Sequence, residues 1–342
     1  MYMRSYQFVM MICMYLIGMG CSTHQPSFAQ PSPRILGADI SFLPQLEDEG
    51  MHFQVDGQTE DAIAILHQHG FNFIRLRIFV HPEADSGYSP GKGYCDLSHT
   101  LAMARRIKAA GMGFLLDFHY SDTWADPGKQ YIPEAWKNLS LQLLEDSLYH
   151  YTRSVLLALK NQGTLPDIVQ TGNEINHGIL WPVGNIEHTD TLAELLKTAI
   201  AAVKSVDPHI RVMLHIADGG QNAESRWFLN AMLQRQVPFD LIGQSYYPQW
   251  HGTLTDLQNN LTDLAGRYTQ PIIVVEYTYH KKEVNDIVFH LPNHKGWGTF
   301  IWEPLNTWEA IFDKQGVAND SLLHIYDSLS VQYQIPRNDP LQ

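Results

Sequence analysis

Apolar runs and amphipathic segments alternate along most of this chain, and the alternation predicts a regular succession of strands and helices. Residues 34–40 form the first apolar run. Residues 59–70 form the first amphipathic segment, a helix with Thr59 as its expected N-cap and Gly70 at its end. The same succession continues to a last helix near residues 320–329. The predicted strands are residues 34–40, 71–80, 112–118, 168–170, 210–216, 239–247, 271–276 and 298–302.

Several of these runs are continuously apolar, and residues 272–275 are four β-branched side chains in a row. Such runs are typical of parallel strands that are covered on both faces. Strand and helix alternate eight times in 342 residues, which predicts a single α/β domain, a (β/α)8 TIM barrel, whose typical length is about 250 residues. A doubly wound open sheet also alternates, but no glycine-rich phosphate fingerprint follows the first strand, so the barrel is favoured.

Polar or aromatic residues stand where nearly every predicted strand ends. In a barrel of this kind the strand ends meet at one rim, where the reactive groups lie. Anchoring a loop explains any one of these residues equally well, but the whole set favours a substrate-binding rim. The residues are Asp39, Arg75, His119, Asn173, Glu174, Asp218, Tyr246, Glu276 and Trp302. Trp124, in the loop after the third strand, joins this set as an aromatic surface for a sugar ring, and His251 has either a cleft or a loop-capping role.

Two of the strands end in a single glutamate, Glu174 after the fourth and Glu276 after the seventh. Two carboxyl groups that face each other are the minimum requirement for hydrolysing a glycosidic bond. Retaining enzymes place them about 5–5.5 Å apart and inverting enzymes about 6.5–9.5 Å apart, and the residues alone do not decide between the two. Arg75 is expected to keep one carboxylate charged, and Asn173 to bind the sugar 2-hydroxyl beside the acid.

Charge and motif content exclude several other classes of protein. The net charge of −13, from 36 acidic and 23 basic residues, disfavours nucleic acid as a partner. His67 and His69 form an H-x-H sequence, but on a helix their side chains point in different directions, and no HExxH motif occurs. We therefore expect a monomer that acts on a polysaccharide and uses neither a metal nor a cofactor.

The N-terminal residues predict export. Arg4 precedes an apolar segment, residues 8–19, that is too short to span a bilayer, so residues 1–20 are expected to be a signal peptide. Small residues before Cys21 form a loose bacterial lipobox, which favours lipid attachment at Cys21 and a protein anchored in the cell envelope, at the outer membrane or cell surface. Ordinary signal cleavage near Ala29 is the alternative.

The remaining chain is expected to be a tether followed by one domain. Residues 21–33 are rich in proline and small polar residues, which is typical of a flexible tether. Residues 34–336 then form a single catalytic domain. Of the three cysteines, only Cys95 lies in this domain, so the sequence offers it no disulfide partner there.

Eight ordered blocks of sequence resemble the endo-β-1,4-galactanases of glycoside hydrolase family 53, also called arabinogalactan endo-β-1,4-galactanases. The resemblance runs from about Gly37 to Pro304, and strings such as SDTWADP make it specific. The blocks are GADIS with LPQLEDEG from Gly37, IRLR from Ile74, DFHYSDTWADPGKQ from Asp117, GNEI with GILWP from Gly172, VMLHIADGG from Val212, IGQSYYPQWHG from Ile242, IIVVE from Ile272 and WEP from Trp302.

The resemblance implies a retaining barrel glycosidase in which Glu174 is the acid/base and Glu276 the nucleophile. The chain departs from the family pattern in places: Tyr277 replaces the usual threonine after the second glutamate, and Leu305 and Asn306 stand where a second tryptophan is common. The segment between the last two strands also lacks the Asp- and Gly-rich insertion that holds calcium in bacterial relatives. These departures affect the outer sugar subsites and any bound calcium, and leave the glutamate pair intact.

Three functions are weighed on these grounds. The first is a lipid-anchored endo-β-1,4-galactanase acting on the β-1,4-galactan of pectin or type I arabinogalactan. The second is the same machinery acting on another β-linked glycan, because a barrel with paired glutamates does not define the sugar. The third is a glycan-binding lipoprotein without catalysis, which the retention of both Glu174 and Glu276 disfavours.

Overall fold

The computed structural model describes residues 32–341, and in them eight parallel strands close into a barrel in sequence order. Each strand pairs with the strands before and after it, and the eighth pairs with the first. The predicted TIM barrel is therefore confirmed. The barrel strands, β1 to β8, are Ile35–Asp39, Phe73–Ile78, Gly113–Phe118, Ile168–Thr171, Arg211–Ile216, Leu241–Tyr246, Ile272–Tyr277 and Gly296–Trp302.

A helix follows each barrel strand and packs on the outside of the barrel. These helices, α1 to α8, are Ala62–Gln68, Leu97–Ala109, Leu141–Asn161, Thr189–Val206, Asn222–Gln234, Leu254–Arg267, Lys281–Phe289 and Asp320–Gln332. The loops contain short elements of their own. Two are short helices, at Leu43–Asp48 and Pro248–His251, and four are 3-10 turns, at Glu134–Trp136, Ile175–His177, Ile186–His188 and Pro292–His294. Two small hairpins pair Gln54–Val55 with Gln58–Thr59 and Gly178–Ile179 with Gly184–Asn185.

The N-terminus of α1 differs from the sequence prediction. Thr59 is not its cap, because this residue belongs to a small hairpin. The Asp61 side chain instead accepts hydrogen bonds from the backbone N–H groups of Ile63 and Ala64, which have no partner inside the helix. The helix ends before Gly70, whose φ of 93° requires a residue without a Cβ atom.

The barrel interior is divided into an apolar half and a polar half. Successive side chains of a strand point alternately into and out of the barrel, so residues two positions apart both point inward, at successive heights along the barrel axis. On β2, Phe73 belongs to the inner apolar cluster, whereas Arg75 and then Arg77 come nearer the carboxyl end. The apolar members are Ile35, Phe73, Leu115, Ile168, Met213, Leu241, Ile273, Val275 and Phe300. Reactive groups therefore lie above a solid apolar floor.

Glycines make room for the largest members of this floor. A Cβ atom on Gly37 would stand 2.3 Å from the Phe300 ring, and one on Gly113 would stand 2.1 Å from the Phe73 ring. Both distances are far below van der Waals contact. The two rings meet edge to face with their centroids 5.7 Å apart, so the small and large residues of β1, β2, β3 and β8 fit each other.

The opposite end of the barrel is closed by the C-terminal segment. The buried amide of Asn72 donates hydrogen bonds to the carbonyl oxygens of Arg34 and Pro336, and the N–H of Asp339 donates to the carbonyl of Gly111. No helix within residues 32–341 is both long and apolar enough to cross a membrane. The predicted signal peptide (1–20), Cys21 and nearly all of the predicted tether lie outside the described residues.

Candidate active site

A buried guanidinium lies at the centre of the polar half of the barrel. Arg75 is 1% exposed and donates hydrogen bonds to Asp39 at 2.9 Å, Asp117 at 2.8 Å, Glu276 at 2.7 Å and the amide oxygen of Asn173 at 2.9 Å. These acceptors come from four different strands or strand ends. One charged group therefore fixes the relative positions of β1, β3, β4 and β7 at the rim, through hydrogen bonds to charged partners that are among the stronger ones in proteins.

Glu174 stands just beyond the end of β4 with a φ of 48°, in the left-handed region that residues with a side chain rarely adopt. Burial raises the pKa of its carboxyl group well above the usual range, and the charge of Glu276 raises it further. The Ser245 hydroxyl opposes this shift through a hydrogen bond. Burial and the neighbouring carboxylate thus favour the protonated form of Glu174.

Glu276 is equally buried but has cationic and hydroxyl partners. Arg75 donates to one carboxylate oxygen at 2.7 Å, and the Tyr247 hydroxyl donates to the other at 2.9 Å. Burial raises the pKa of Glu276, while Arg75 and Tyr247 lower it. The two glutamates therefore have different environments: Glu276 has partners for its ionised form, and Glu174 has a neighbouring negative charge that disfavours ionisation.

A network of neutral groups supports Glu174 from below. Nδ1 of His215 lies 2.9 Å from Nε2 of Gln170 and 3.0 Å from the amide oxygen of Asn173, and its Nε2 lies 2.7 Å from the Ser245 hydroxyl. Burial and the charge of Arg75 lower the pKa of His215 well below its usual value, which favours the neutral imidazole. The Ser245 hydroxyl is in turn hydrogen-bonded to Glu174.

A second buried arginine positions an aromatic wall. Arg77 donates to Glu303 at 2.5 Å, and its guanidinium carbon lies 4.4 Å from the ring centroids of both Phe42 and Trp124. Burial raises the pKa of Glu303 to about 8, although Arg77 lowers it. Phe42 and Trp124 meet edge to face with their centroids 6.2 Å apart, and Arg77 makes a cation–π contact with each of them, which positions Trp124 at the cavity.

His119 bridges β3 and the loop that carries Trp124. Its Nδ1 accepts a hydrogen bond from the N–H of Ala125 at 3.1 Å, and its Nε2 lies 3.1 Å from Asp117. This pairing fixes the tautomer with the proton on Nε2, directed at the carboxylate. His119 thereby ties the aromatic wall to the carboxylate that also receives Arg75.

Both glutamates, both arginines, Asp39, His119, Asn173, Tyr247 and Trp124 line one cavity of about 630 Å³ at the carboxyl ends of the strands. Tryptophans line one side of it: Trp124 and Trp302 have ring centroids 6.3 Å apart, Trp302 and Trp308 5.2 Å, and Trp308 and Trp250 6.0 Å. Trp250 and Trp308 are 61% and 51% exposed, which leaves their faces open to a ligand. A row of accessible aromatic rings beside two buried carboxyl groups suits a chain of sugar rings.

Most of the residues predicted from strand ends line this cavity. They are Asp39, Arg75, His119, Trp124, Asn173, Glu174, Asp218, Glu276 and Trp302. His251 also lines it, and its Nδ1 accepts a hydrogen bond from the N–H of Tyr247, so it has both of the roles considered for it. The sequence analysis missed Arg77, Asp126, Lys129, Tyr247, Trp250 and Trp308 as lining residues. No group of three or more His, Cys, Asp or Glu within residues 32–341 is arranged to hold a metal.

Tyr246 does not line the cavity, which corrects its predicted position at the rim. Its ring belongs to the outer core, and its hydroxyl donates to the carbonyl of Gly252. The inward residues of β6 are odd-numbered, as Leu241 and Ser245 show, and the alternation continues to Tyr247. Once Leu241 is known to face inward, counting in steps of two along the strand leads to Tyr247.

Comparison with known proteins shows what the chain resembles. The model of the family described as Glycosyl hydrolase family 53 matches residues 35–286. An endo-beta-1,4-galactanase of Bacillus subtilis (strain 168) is 31% identical over 321 residues, which cover 84% of this chain and 73% of the relative. An arabinogalactan endo-beta-1,4-galactanase A of Aspergillus niger is 36% identical over 249 residues, covering 70% of this chain and 69% of the relative.

A solved structure of a related domain gives the same result for the fold. The catalytic domain of an Ignisphaera aggregans protein of the same family superposes with a TM-score of 0.81 at 33% identity. The superposition covers 88% of this chain and 97% of that domain. Sequence and fold therefore agree over nearly the whole described barrel.

Replacing Tyr247 by Phe is expected to shift the pH dependence of activity. The lost hydrogen bond stabilises the ionised form of Glu276, so its pKa should rise and the acidic limb of kcat/KM should move to higher pH. A hydrogen bond to a charged group contributes about 1.5–3 kcal/mol, so kcat/KM should fall roughly 10- to 100-fold. The measurement is a pH profile of kcat/KM for both proteins.

Tyr246→Phe is the matched control, since it removes the hydroxyl of the adjacent buried tyrosine, which faces the outer core. Its acidic limb should coincide with that of the unmodified protein. A profile in which Tyr246→Phe shifts the limb and Tyr247→Phe does not would contradict the assignment of Tyr247 to Glu276.

Proposed function

Because the chain belongs to glycosyl hydrolase family 53, we propose that it is a retaining endo-β-1,4-galactanase that hydrolyses the β-1,4-galactan of pectin side chains and type I arabinogalactan. The observation that carries this proposal is the pair of buried glutamates in one cavity, of which Glu276 has Arg75 and Tyr247 as partners and Glu174 does not. The named relatives supply the sugar and the linkage.

The first step of the reaction uses the two glutamates in opposite protonation states. The ionised oxygen of Glu276 attacks the anomeric carbon, and the bond from that carbon to the glycosidic oxygen breaks. Glu174 gives its proton to the departing oxygen, so the shortened galactan leaves as an alcohol. The product of this step is a galactosyl ester on Glu276, and Glu174 is now ionised.

The second step reverses these roles. Glu174 takes a proton from a water molecule, whose oxygen attacks the anomeric carbon and displaces Glu276 as a carboxylate. Each step inverts the anomeric centre, so the overall configuration is retained. Arg75 stabilises the carboxylate that is present before and after the ester, and the raised pKa of Glu174 suits a group that gives and then regains a proton.

Asn173 and the tryptophans position the sugar. The amide oxygen of Asn173 accepts a hydrogen bond from Arg75, and one of the two N–H groups of the Asn173 amide donates to the carbonyl oxygen of Ala125. The other N–H remains for the 2-hydroxyl of the sugar at the scissile bond. Trp124 and Trp302 lie beside this position and offer apolar faces to the galactose ring.

The test of the proposed substrate is release of reducing sugar from potato galactan, alongside mannan and xylan at equal mass. We expect release from galactan at least tenfold faster than from either other glycan, because one misplaced hydroxyl group at a buried polar site is strongly discriminated. Faster release from mannan or xylan would favour the same machinery acting on another β-linked glycan. Binding of galactan without release would favour a protein that only binds glycans.

Chemical rescue distinguishes the two glutamates. Glu276→Ala should abolish turnover of all substrates, and azide or formate should restore part of it by attacking the vacated face with inversion of configuration. Glu174→Ala should lower kcat on galactan about 10²- to 10⁴-fold, the usual contribution of a general acid, but should spare the first step for aryl galactosides with good leaving groups. Azide should then give a glycosyl azide of retained configuration.

Glu194→Ala, at an exposed position on α4, is the control for the loss of a carboxylate and should keep full activity. Product configuration is read by NMR of the glycosyl azide. Retained product from Glu276→Ala and inverted product from Glu174→Ala would reverse the two roles.

The N-terminal residues support a proposal on location: the protein is exported and anchored in the cell envelope by a lipid on Cys21. Cys21→Ser should abolish labelling by radioactive palmitate and move the protein from the membrane fraction to the soluble exported fraction. The readouts are autoradiography of the purified protein and fractionation of the expressing cells. Unlabelled protein whose mature N-terminus begins near Ala29 would contradict lipid attachment and favour ordinary signal cleavage.

A further inference from the structure

A second cavity, of about 730 Å³, lies on the same face of the barrel as the active site. The loops after β2, β3 and β4 form it, and the residues that matter most to its chemistry are Thr123, Tyr131, Trp136, Asn138 and Trp181. None of these lines the active-site cavity. The catalytic machinery described above makes no use of this second cavity, which is as large as a site for a small ligand commonly is.

The second cavity is rigidly built, since a buried carboxylate joins the loops around it. Asp122 is 6% exposed and accepts hydrogen bonds from the N–H groups of His81 at 3.0 Å and Glu134 at 2.8 Å, which belong to two different loops. A backbone bridge joins Tyr131 to Trp181. The cavity walls are therefore fixed before any ligand binds, which reduces the entropy cost of binding.

One loop separates the two cavities. Thr123 lines the second cavity, and the next residue, Trp124, lines the active site. Further along, Lys129 faces the active site and Tyr131 the second cavity. The Gln130 side chain between them donates to the carbonyl of Asn173, next to Glu174. The two cavities therefore share this loop as a common wall, and both open on the same face of the barrel.

The lining chemistry is that of a carbohydrate site. Tyr131 is 56% exposed, so its ring is accessible to a ligand, and the half-buried Trp181 is joined to it by the backbone bridge. Apolar ring faces with polar groups at their edges match a sugar, which has C–H faces and hydroxyl edges. The charges of Lys137 and Glu134 are paired with each other, and the Asp122 carboxylate accepts hydrogen bonds from two backbone N–H groups, so each charged group of the lining already has a partner in the protein.

We propose that this second cavity binds a distant stretch of the same galactan chain, with Tyr131 as its stacking surface, and so holds the polymer against the enzyme between cleavages. The proposal rests on the galactanase function proposed above. A second contact on one polymer makes rebinding at the active site intramolecular and raises the effective concentration of substrate there. Polymeric galactan gains from this contact, and oligosaccharides that fill only the active site do not.

The experiment replaces Tyr131 by Ala and compares long and short substrates. In a Glu276→Ala background, retardation in native gels containing galactan should weaken roughly two- to tenfold, the effect of losing one aromatic stacking contact. In the active enzyme, kcat/KM on galactan should fall by a similar factor, while kcat/KM on a galactotetraose should stay unchanged. Tyr131→Phe, which keeps the ring, should behave as the unmodified protein in all three measurements.

Trp227→Ala is the matched control, because Trp227 is 51% exposed on α5 and lines neither cavity. It should change neither retardation nor kinetics. The proposal of a second binding site would be overturned if Tyr131→Ala and Trp227→Ala were retarded equally by galactan. It would also be overturned if Tyr131→Ala lowered kcat/KM equally on galactan and on galactotetraose. Either result leaves the proposed function standing if the unmodified enzyme hydrolyses galactan, whereas failure of the unmodified enzyme on galactan would overturn both.

Discussion

The rim of this barrel depends on one buried charge, the guanidinium of Arg75. Removing it would leave Asp39, Asp117 and Glu276 buried without their common cation, and breaking a buried ion pair in this way costs about 3–5 kcal/mol. The strand ends that line the cavity are therefore held by the same guanidinium that lowers the pKa of Glu276. Geometry and acidity of the site cannot vary independently.

The period-two alternation of barrel strands separates stability from chemistry. On β2 to β5, one inward position contributes to the apolar floor and the next inward position toward the carboxyl end carries a polar group, as with Phe73 below Arg75 and Met213 below His215. The floor is apolar and fully buried, so the polar layer above it has a low-dielectric base on which hydrogen bonds are strong.

The sequence predicts the barrel well because its signals are local: apolar runs of strand length, helices of regular period, and polar residues where the runs stop. It predicts less of the site, for physical reasons. Tyr247 was obscured by its neighbour Tyr246, and only the alternation from Leu241 separates them. Trp250 and Trp308 reach the cavity through loops whose paths follow no period. The position of Arg77 on the same strand face as Arg75 can be predicted from their spacing of two residues. Its partner Glu303 cannot, because it lies 226 positions further along the chain.

The excess of acids in the site explains why it retains a proton. Five buried carboxyl groups, those of Asp39, Asp117, Glu174, Glu276 and Glu303, face the two guanidinium groups of Arg75 and Arg77. Full ionisation would leave uncompensated negative charge in a low-dielectric interior, which is costly, so burial raises the pKa of Glu174, Glu276 and Glu303. Of the two glutamates in the proposed mechanism, Glu276 accepts a hydrogen bond from Arg75, whereas Glu174 has no arginine among its partners and stands beside the charge of Glu276. The protonated form is therefore favoured more at Glu174 than at Glu276, which is the difference that the proposed roles of acid and nucleophile require.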